Sequence, residues 1–241
     1  MKFILKQTEP QNFLDWKNQE RQTLENYYQN NATGSQIWDF FPNSPPIQPE
    51  EPILYYSKAE LKEELLKEQG SICCYCNQTI SNDSQTVIEH LNSKEQFPEQ
   101  TLLYNNLITS CNGNQKEPRP RELHCDANKS NRSISTNPLD SNCEVQLYFI
   151  PDGQIQSHCD EGRQTIEILN LNINKLRRNR GAAIEGFIYL DSESAALIDE
   201  TTASTLLERL VERNTNGAFT EFCSAITSVI SREILNQKIE Q

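Results

Sequence analysis

The chain has 241 residues and a mass of 27.7 kDa, enough for one large domain or two small ones with a buried core. Hydrophobic residues make up 36%, and nine Phe, eight Tyr and two Trp can anchor packing, so global disorder is excluded. Because 22 cations oppose 34 acids, the net charge is −12, which argues against a simple electrostatic nucleic-acid binder. No apolar run approaches about 18 residues and we see no signal-peptide core, so we expect a soluble cytoplasmic protein.

The first predicted element is a helix over residues 10–30, where apolar side chains recur without interior Gly or Pro. A proline-rich stretch follows from Pro42 to Pro52 and predicts an extended connector, because proline fixes φ and removes a hydrogen-bond donor. Residues 1–56 are therefore expected to form an N-terminal arm with its connector.

A second helix is predicted from Ser57. Ser57 and Glu60 form a capping box, apolar Leu61 and Leu65 follow at helical spacing, and Gly70 stands where a C-cap belongs. This helix should end just before the first cysteines.

Residues 71–140 have little apolar periodicity, and only 86–88 and 107–108 predict short strands. Such a segment buries too little apolar surface to order itself, so a metal is expected to hold it. Residues 57–140 are accordingly predicted to be one metal-stabilised unit. For residues 141–241 the pattern predicts a hairpin around Pro151-Asp152-Gly153 and then helices, which makes the fold class α+β and mainly helical.

Eight cysteines, in a chain without an export signal, favour metal ligands or buried thiols over disulfides. Cys73 and Cys76 form a C-x-x-C pair that can hold one face of a tetrahedral Zn²⁺. Cys111 and Cys125 are candidates for the second pair, although thirteen residues separate them. Unpaired core cysteines are the alternative interpretation of these residues.

Polar residues between and after the cysteines make the pattern more specific. Glu89 and His90 end a short apolar strand, and Asn106 follows in Asn-Leu. Asp126 and Lys129 come directly after the last cysteine. The ordered set of C-x-x-C, Glu-His, Asn-Leu, Cys and Cys-Asp-x-x-Lys is far more specific than any of its members.

Residues 69–129 resemble HNH endonucleases of the zinc-stapled ββα-metal type, and are most similar to the PtuB branch of Septu-like and retron-associated antiphage defence systems. The resemblance extends to other parts of the chain. It includes Lys6 with Pro10, Phe13, Trp16 and Lys17, the phrase Glu68-Gln69-Gly70 with Cys73, Tyr75 and Cys76, and Leu169-Asn170-Leu171-Asn172 with Leu176 and Arg180.

The resemblance implies a role for each motif residue. Cys73, Cys76, Cys111 and Cys125 would bind a structural zinc ion. His90 would be the general base, and Glu89 and Asp126 would hold Mg²⁺ or Mn²⁺. Asn106 would orient His90 through its second ring nitrogen or the adjoining backbone, and Lys129 would face a phosphate.

Several alternatives remain at this point. Asn128 can substitute for Asp126, His124 for Cys125, and Cys74 for Cys73. Arg119 and Arg121 lie in a locally basic stretch and are candidate phosphate contacts. The run of Lys175, Arg177, Arg178 and Arg180 is either a solvated helix face or a DNA contact.

We therefore expect a metal-dependent HNH endonuclease that hydrolyses DNA. The resemblance implies an antiphage role with a PtuA-like ABC/SMC-type ATPase as partner, and a retron reverse transcriptase with its DNA–RNA product is a further candidate partner. The alternative function is a zinc-stapled interaction module without catalysis.

Overall fold

A computed structural model describes residues 1–44, 55–115, 120–189 and 196–235. The fold is α+β, with helices around two small sheets. Its helices are α1 (Gln11–Gln19), α2 (Arg21–Gln29), α3 (Gly34–Phe40), α4 (Lys58–Gln69), α5 (Cys125–Lys129), α6 (Cys143–Gln146), α7 (Asp160–Ile168), α8 (Asn174–Ile188), α9 (Glu200–Val211) and α10 (Cys223–Val229). Its strands are β1 (Thr86–His90), β2 (Leu107–Cys111), β3 (Leu147–Phe149) and β4 (Ile155–Ser157).

The N-terminal region contains more helices than its sequence pattern predicts. The single helix expected over 10–30 is wrong, because the backbone leaves helical geometry at Glu20, with φ −90° and ψ 10°, between α1 and α2. A capping box of Thr33 and Gln36 starts α3, which the apolar pattern does not reveal. Most of the proline-rich connector, residues 45–52, lies outside the described residues.

An aromatic cluster joins these helices to the centre of the molecule. Phe13 and Trp16 of α1 stack with a ring-centroid distance of 6.1 Å, and Trp16 lies 4.5 Å from Phe41 by the same measure. The cluster also includes Leu61 of α4 and Leu107 of β2. The N-terminal segment thus packs onto the elements that carry the predicted site.

The predicted capped helix is confirmed as α4. Ser57 and Glu60 form the capping box, and Leu61 and Leu65 are fully buried. Gly70 ends the helix at φ 69°, a left-handed conformation that glycine adopts without a Cβ penalty. A Cβ there would also lie 2.5 Å from the ring of Phe219, so this position requires glycine twice over.

The central sheet consists of β1 and β2, which pair antiparallel with Glu89 opposite Ile108 and His90 opposite Leu107. The amide of Gln69 joins the sheet to α4, since its Oε1 accepts from Thr109 N and its Nε2 donates to Thr109 O. After β2 the chain returns as α5, which packs on that strand. This order of two strands and a helix brings the cysteines and the acidic motif together.

The C-terminal part surrounds the second sheet. The expected hairpin is confirmed as β3 and β4. Val145 alternates with Leu147 and Phe149, a pattern that predicts a strand, but it lies on α6. The apolar repeat from Ile166 to Leu176 belongs to two helices, α7 and α8, with the turn of residues 169–173 between them. Asn172 fastens that turn to β4, because its amide bonds both N and O of Ile155.

Arg180 is a structural residue and not part of a surface patch. Its side chain is 1% exposed, and its guanidinium donates to Gly153 O and Leu171 O.

Within the described ranges, none of the helices has the length and apolar character needed to cross a membrane.

Candidate metal centre and adjoining acidic site

Four cysteines meet where the C-x-x-C turn, the end of β2 and the start of α5 converge. The Sγ atoms of Cys73, Cys76, Cys111 and Cys125 all lie within 4.8 Å of one another. The Sγ–Sγ distance is 3.9 Å both between Cys73 and Cys125 and between Cys76 and Cys111. Tetrahedral zinc with bonds of about 2.3 Å requires sulfur separations of about 3.8 Å. The cluster can therefore hold a metal ion, and its geometry is compatible with structural zinc.

The protonation chemistry of these thiols also fits a cation. Burial opposes ionisation of the Cys73 thiol, but hydrogen bonds from the thiols of Cys111 and Cys125 hold its pKa well below the usual value. A hydrogen bond from Cys125 likewise lowers the pKa of Cys111, to about 7. Burial raises the pKa of the other two thiols, Cys76 and Cys125, well above the usual value, so two thiols of the cluster ionise readily and the other two would need a bound cation to do so.

The two substitute ligands considered for this site lie outside the four-sulfur set. Cys74 is buried beside the cluster, and its backbone N–H donates to Thr109 O. His124 places Nε2 3.7 Å from the Sγ of Cys111, while its Nδ1 lies 3.1 Å from Glu122 O.

All eight cysteines lie within the described residues and are free thiols, so the structure holds no disulfide.

Two backbone features bring Cys111 and Cys125 together despite the long insertion between them. Gly113 has φ 58°, and a Cβ there would lie 1.9 Å from His124 O, so only glycine permits this approach. Cys125 itself has φ 51°, a left-handed conformation that is uncommon for a residue with a side chain. Its N–H donates to Leu169 O in the turn after α7, which holds the start of α5 in place.

Glu89 lies on the same side of the sheet as α5. Its carboxylate forms an ion pair with Lys129, Nζ to Oε1 2.8 Å, and accepts a hydrogen bond of 2.9 Å from the hydroxyl of Tyr75. The Lys129 side chain is 1% exposed, and its Nζ also donates to His90 O over 3.0 Å. In this structure the Lys129 ammonium is bound to Glu89 and to His90 O, and the expectation that it faces a phosphate stays a prediction.

Asp126 adds a second carboxyl group to this site. Burial and the adjoining carboxylate of Glu89 raise the pKa of Asp126 to about 9. The amide of Gln115 donates to Asp126 Oδ2 over 3.4 Å. Since the Lys129 ammonium pairs with Glu89, the second carboxyl group favours a proton, or a cation, over the ionised form.

The donor chemistry of Glu89 and Asp126 fits Mg²⁺ or Mn²⁺, which take hard oxygen ligands and are often held by one or two carboxylates. In this conformation the Lys129 ammonium supplies the positive charge at Glu89. Among the described residues, the four cysteines form the one group of three or more His, Cys, Asp and Glu close enough to share an ion. A divalent cation here would accordingly depend on water and phosphate for its other ligands.

His90 ends β1 and is 7% exposed. Its Nε2 lies 3.1 Å from Thr101 O, and because a carbonyl oxygen can only accept, Nε2 carries the proton and Nδ1 keeps its lone pair. The ring also packs edge-on against Trp38. Burial, and next the nearby charge of Lys94, lower the pKa of His90 to about 4, so the imidazole is neutral at pH 7.

Asn106 braces the loop beside His90 and does not contact the ring. Its Oδ1 accepts from Asn92 N over 2.7 Å, and its Nδ2 donates to Asn92 O and Gln100 O. These bonds hold both ends of the loop that presents Thr101 O to His90. The amide of Asn106 bonds to backbone near His90, and its expected role in orienting His90, through the ring or the adjoining backbone, stays a prediction.

The remaining candidates are scattered. Asn128, the alternative to Asp126, turns away and donates to Ile168 O over 2.9 Å. Arg121 is exposed on the loop before α5. Arg119 lies outside the described residues.

The structure adds three residues that sequence reasoning missed as members of the site. Tyr75 binds Glu89, Thr101 binds the His90 ring, and Trp38 packs on that ring. Only Tyr75 could have been found from the sequence, because a residue inside a C-x-x-C turn has a fixed position relative to the metal. Trp38 comes from a distant helix, and no local pattern connects it with His90.

A scan of protein-family models gives no match to this chain, and a search of curated proteins gives none either. The family assignment thus remains a hypothesis that depends on the motif.

Proposed function

We propose that this chain is a divalent-metal-dependent HNH endonuclease that hydrolyses DNA phosphodiester bonds. The observation that carries the proposal is the placement of the half-buried Asp126 beside the buried carboxylate of Glu89, next to the four-cysteine cluster. A pair of acids there is costly to the fold, since burial raises the pKa of Asp126 to about 9. A protein that uses zinc only to stabilise its fold would gain nothing from this loss of stability.

The chain's own groups would act as follows. His90 keeps Nδ1 unprotonated and takes a proton from the attacking water at that atom. Thr101 O orients the ring, and Asn106 holds the loop that carries Thr101. A divalent cation, when bound, supplies positive charge beside the scissile phosphate. Lys129 would move from Glu89 toward the phosphate when the cation neutralises the two acids.

A neutral imidazole with a pKa of about 4 is a weak base in the free protein. A bound phosphate brings negative charge close to the ring, and nearby negative charge raises the pKa of a histidine. Substrate binding would therefore strengthen His90 as a base at the stage where it is needed.

The biological role belongs to the same proposal. As in the PtuB-like proteins that the motif resembles, the chain would be the effector nuclease of an antiphage defence system with a PtuA-like ATPase. The net charge of −12 supports dependence on a partner, because an acidic protein binds DNA poorly alone.

The test is plasmid cleavage with Mg²⁺ or Mn²⁺, with and without the partner ATPase. We expect His90→Ala to reduce cleavage by about 100-fold or more, the range in which a general base contributes. His158→Ala is the matched control, because His158 stacks on Tyr148 in the second sheet and should leave cleavage unchanged. Equal cutting by His90→Ala and the parent would refute the assignment.

A second candidate function is a zinc-stapled interaction module without catalysis. The buried ion pair between Lys129 and Glu89 favours it, because this pair already satisfies the carboxylate without any cation. The module predicts one zinc per chain and no cleavage under any metal or partner condition.

A further inference from the structure

A basic cleft of about 710 Å³ lies between the loop before α5 and the start of α8. Its polar lining includes Arg121 on one side and Asn174, Lys175, Arg178 and Asn179 on the other. These side chains are exposed, so the cleft is open to a ligand from solvent.

The charge of this cleft is opposite to that of the whole chain. Three cations line it, Arg121, Lys175 and Arg178, against one acid, Glu122, in a chain of net charge −12. Lys175 and Arg178 are three residues apart on α8 and therefore lie on one face of the helix. The other two cations of that sequence run do not line the cleft, because Arg180 is buried and Arg177 pairs with Asp152.

Hydrogen bonds connect the cleft to the candidate site. The Asn170 side chain donates to Leu123 O over 2.7 Å, just before Cys125, and to Arg121 O over 3.3 Å. On the other side, Lys175 Nζ lies 3.3 Å from Asn114 Oδ1, and the next residue, Gln115, binds Asp126. A ligand held in the cleft is thus fixed relative to the start of α5, which carries Asp126.

We propose that this cleft binds the sugar–phosphate backbone of duplex DNA and leads it toward Glu89 and Asp126. The inference rests on the proposed nuclease function and names the surface that the substrate uses. Arg, Lys and Asn side chains are typical phosphate contacts in protein–DNA complexes. No aromatic residue is among the described residues that line the cleft, so base stacking has no platform there, and the contacts read backbone and not sequence.

The test uses the full chain, loaded with zinc and without Mg²⁺, and a fluorescent DNA duplex. Binding is measured by anisotropy over a series of salt concentrations starting at about 10 mM, where charges act over about 30 Å. We expect the double variant Lys175→Glu with Arg178→Glu to bind at least about tenfold more weakly. The slope of the log of its binding constant against the log of salt concentration should fall in magnitude by about 2, since each of the two lost phosphate contacts accounts for about 0.9. The control is Lys67→Glu with Arg209→Glu, which makes the same charge change at exposed positions outside the cleft and should weaken binding clearly less than the cleft variant does.

Failure of this inference is distinct from failure of the proposed function. If the parent cleaves plasmid but the cleft variant binds DNA as tightly as the control, the cleft is not the DNA surface and the nuclease assignment stands. Absence of parent binding at about 10 mM salt, or equal weakening in variant and control, also overturns the inference. Loss of binding to the partner ATPase with DNA binding intact would assign the cleft to a protein and overturn it as well.

If the parent never cleaves, yet only the cleft variant loses DNA binding, the cleft inference stands and the nuclease assignment fails.

Discussion

Replacing Cys125 by Ser is expected to release zinc and to unfold much of residues 71–140. Structural zinc contributes about 10–16 kcal/mol in zinc-finger peptides, whereas a whole domain is stable by only about 5–15 kcal/mol. Within the described residues, the segment between α4 and α6 contains two short strands, one short α-helix and three single 3₁₀ turns. Leu107 and Ile108 are buried in the core, but without the metal the C-x-x-C turn, the end of β2 and the start of α5 lose the ion that joins them.

The measurements are zinc content and amide hydrogen exchange. The parent should carry one zinc per chain, and Cys125→Ser should lose it together with the protection of the amides in β1 and β2. Cys159→Ser is the control, because Cys159 is half-buried and lies outside the four-sulfur cluster. Full zinc occupancy and full protection in Cys125→Ser would show that the ion does not depend on Cys125, and absence of zinc from the parent would show that the cysteines are ordinary buried thiols.

Replacing Asp126 by Asn is expected to stabilise the magnesium-free protein and to abolish cleavage. The pKa of Asp126 is about 9 in the fold, against a usual value of 3.8, because of burial and the neighbouring Glu89. At pH values between these two pKa values, the folded state binds more protons at this group than the unfolded state does. The free energy of unfolding therefore falls as the pH rises. Because asparagine does not ionise, the free energy of unfolding should decrease less with rising pH in Asp126→Asn than in the parent.

Urea denaturation of zinc-loaded, magnesium-free protein near pH 6 and near pH 9 checks the first half of this prediction. One pKa unit corresponds to about 1.4 kcal/mol, so we expect the variant to gain about 1 kcal/mol or more over the parent at the higher pH. Cleavage should fall about 100-fold or more, because a metal-ion site contributes several kcal/mol. Asp160→Asn is the control, since that carboxyl group is exposed on α7.

Opposite effects on stability and activity separate the two candidate functions. In a nuclease, Asp126 destabilises the fold and is kept for catalysis. In an interaction module, Asp126→Asn would stabilise the protein and remove nothing measurable in a cleavage assay. Retention of the parent's cutting rate by this variant would contradict the proposed role of Asp126.

Local sequence rules predicted those parts of the fold that local interactions determine. The capping box at Ser57 and the glycine after α4 each act within a few residues, so pattern alone placed this helix correctly. The two strands of the central sheet were predicted in the right places for the same reason, although both continue to the motif residues His90 and Cys111.

Residues fixed by tertiary contacts could not be predicted in this way. The apolar period runs on from Ile166 to Leu176, yet the chain turns at 169–173 because Asn170 binds the loop before α5 and Asn172 binds β4. Burial of Lys129 follows from its ion pair with Glu89, which depends on how α5 packs on β2.

In the candidate site, too, the sequence motif predicts some residues, and tertiary contacts determine the others. The C-x-x-C spacing predicted Cys73 and Cys76, whereas Cys111 and Cys125 were candidates by spacing and were assigned through the resemblance of the whole motif; the structure brings the four sulfurs together. The surroundings of His90 were not predictable, since Thr101 and Trp38 reach it from a loop and from a distant helix.

Zinc-edge X-ray absorption on the purified full chain tests the central claim most directly. If one ion gathers Cys73, Cys76, Cys111 and Cys125, the spectrum will fit four sulfur ligands at about 2.3 Å. A fit that needs a nitrogen ligand near 2.0 Å would place His124 in the site, and a chain without zinc would contradict the account of how Glu89 and Asp126 are brought together.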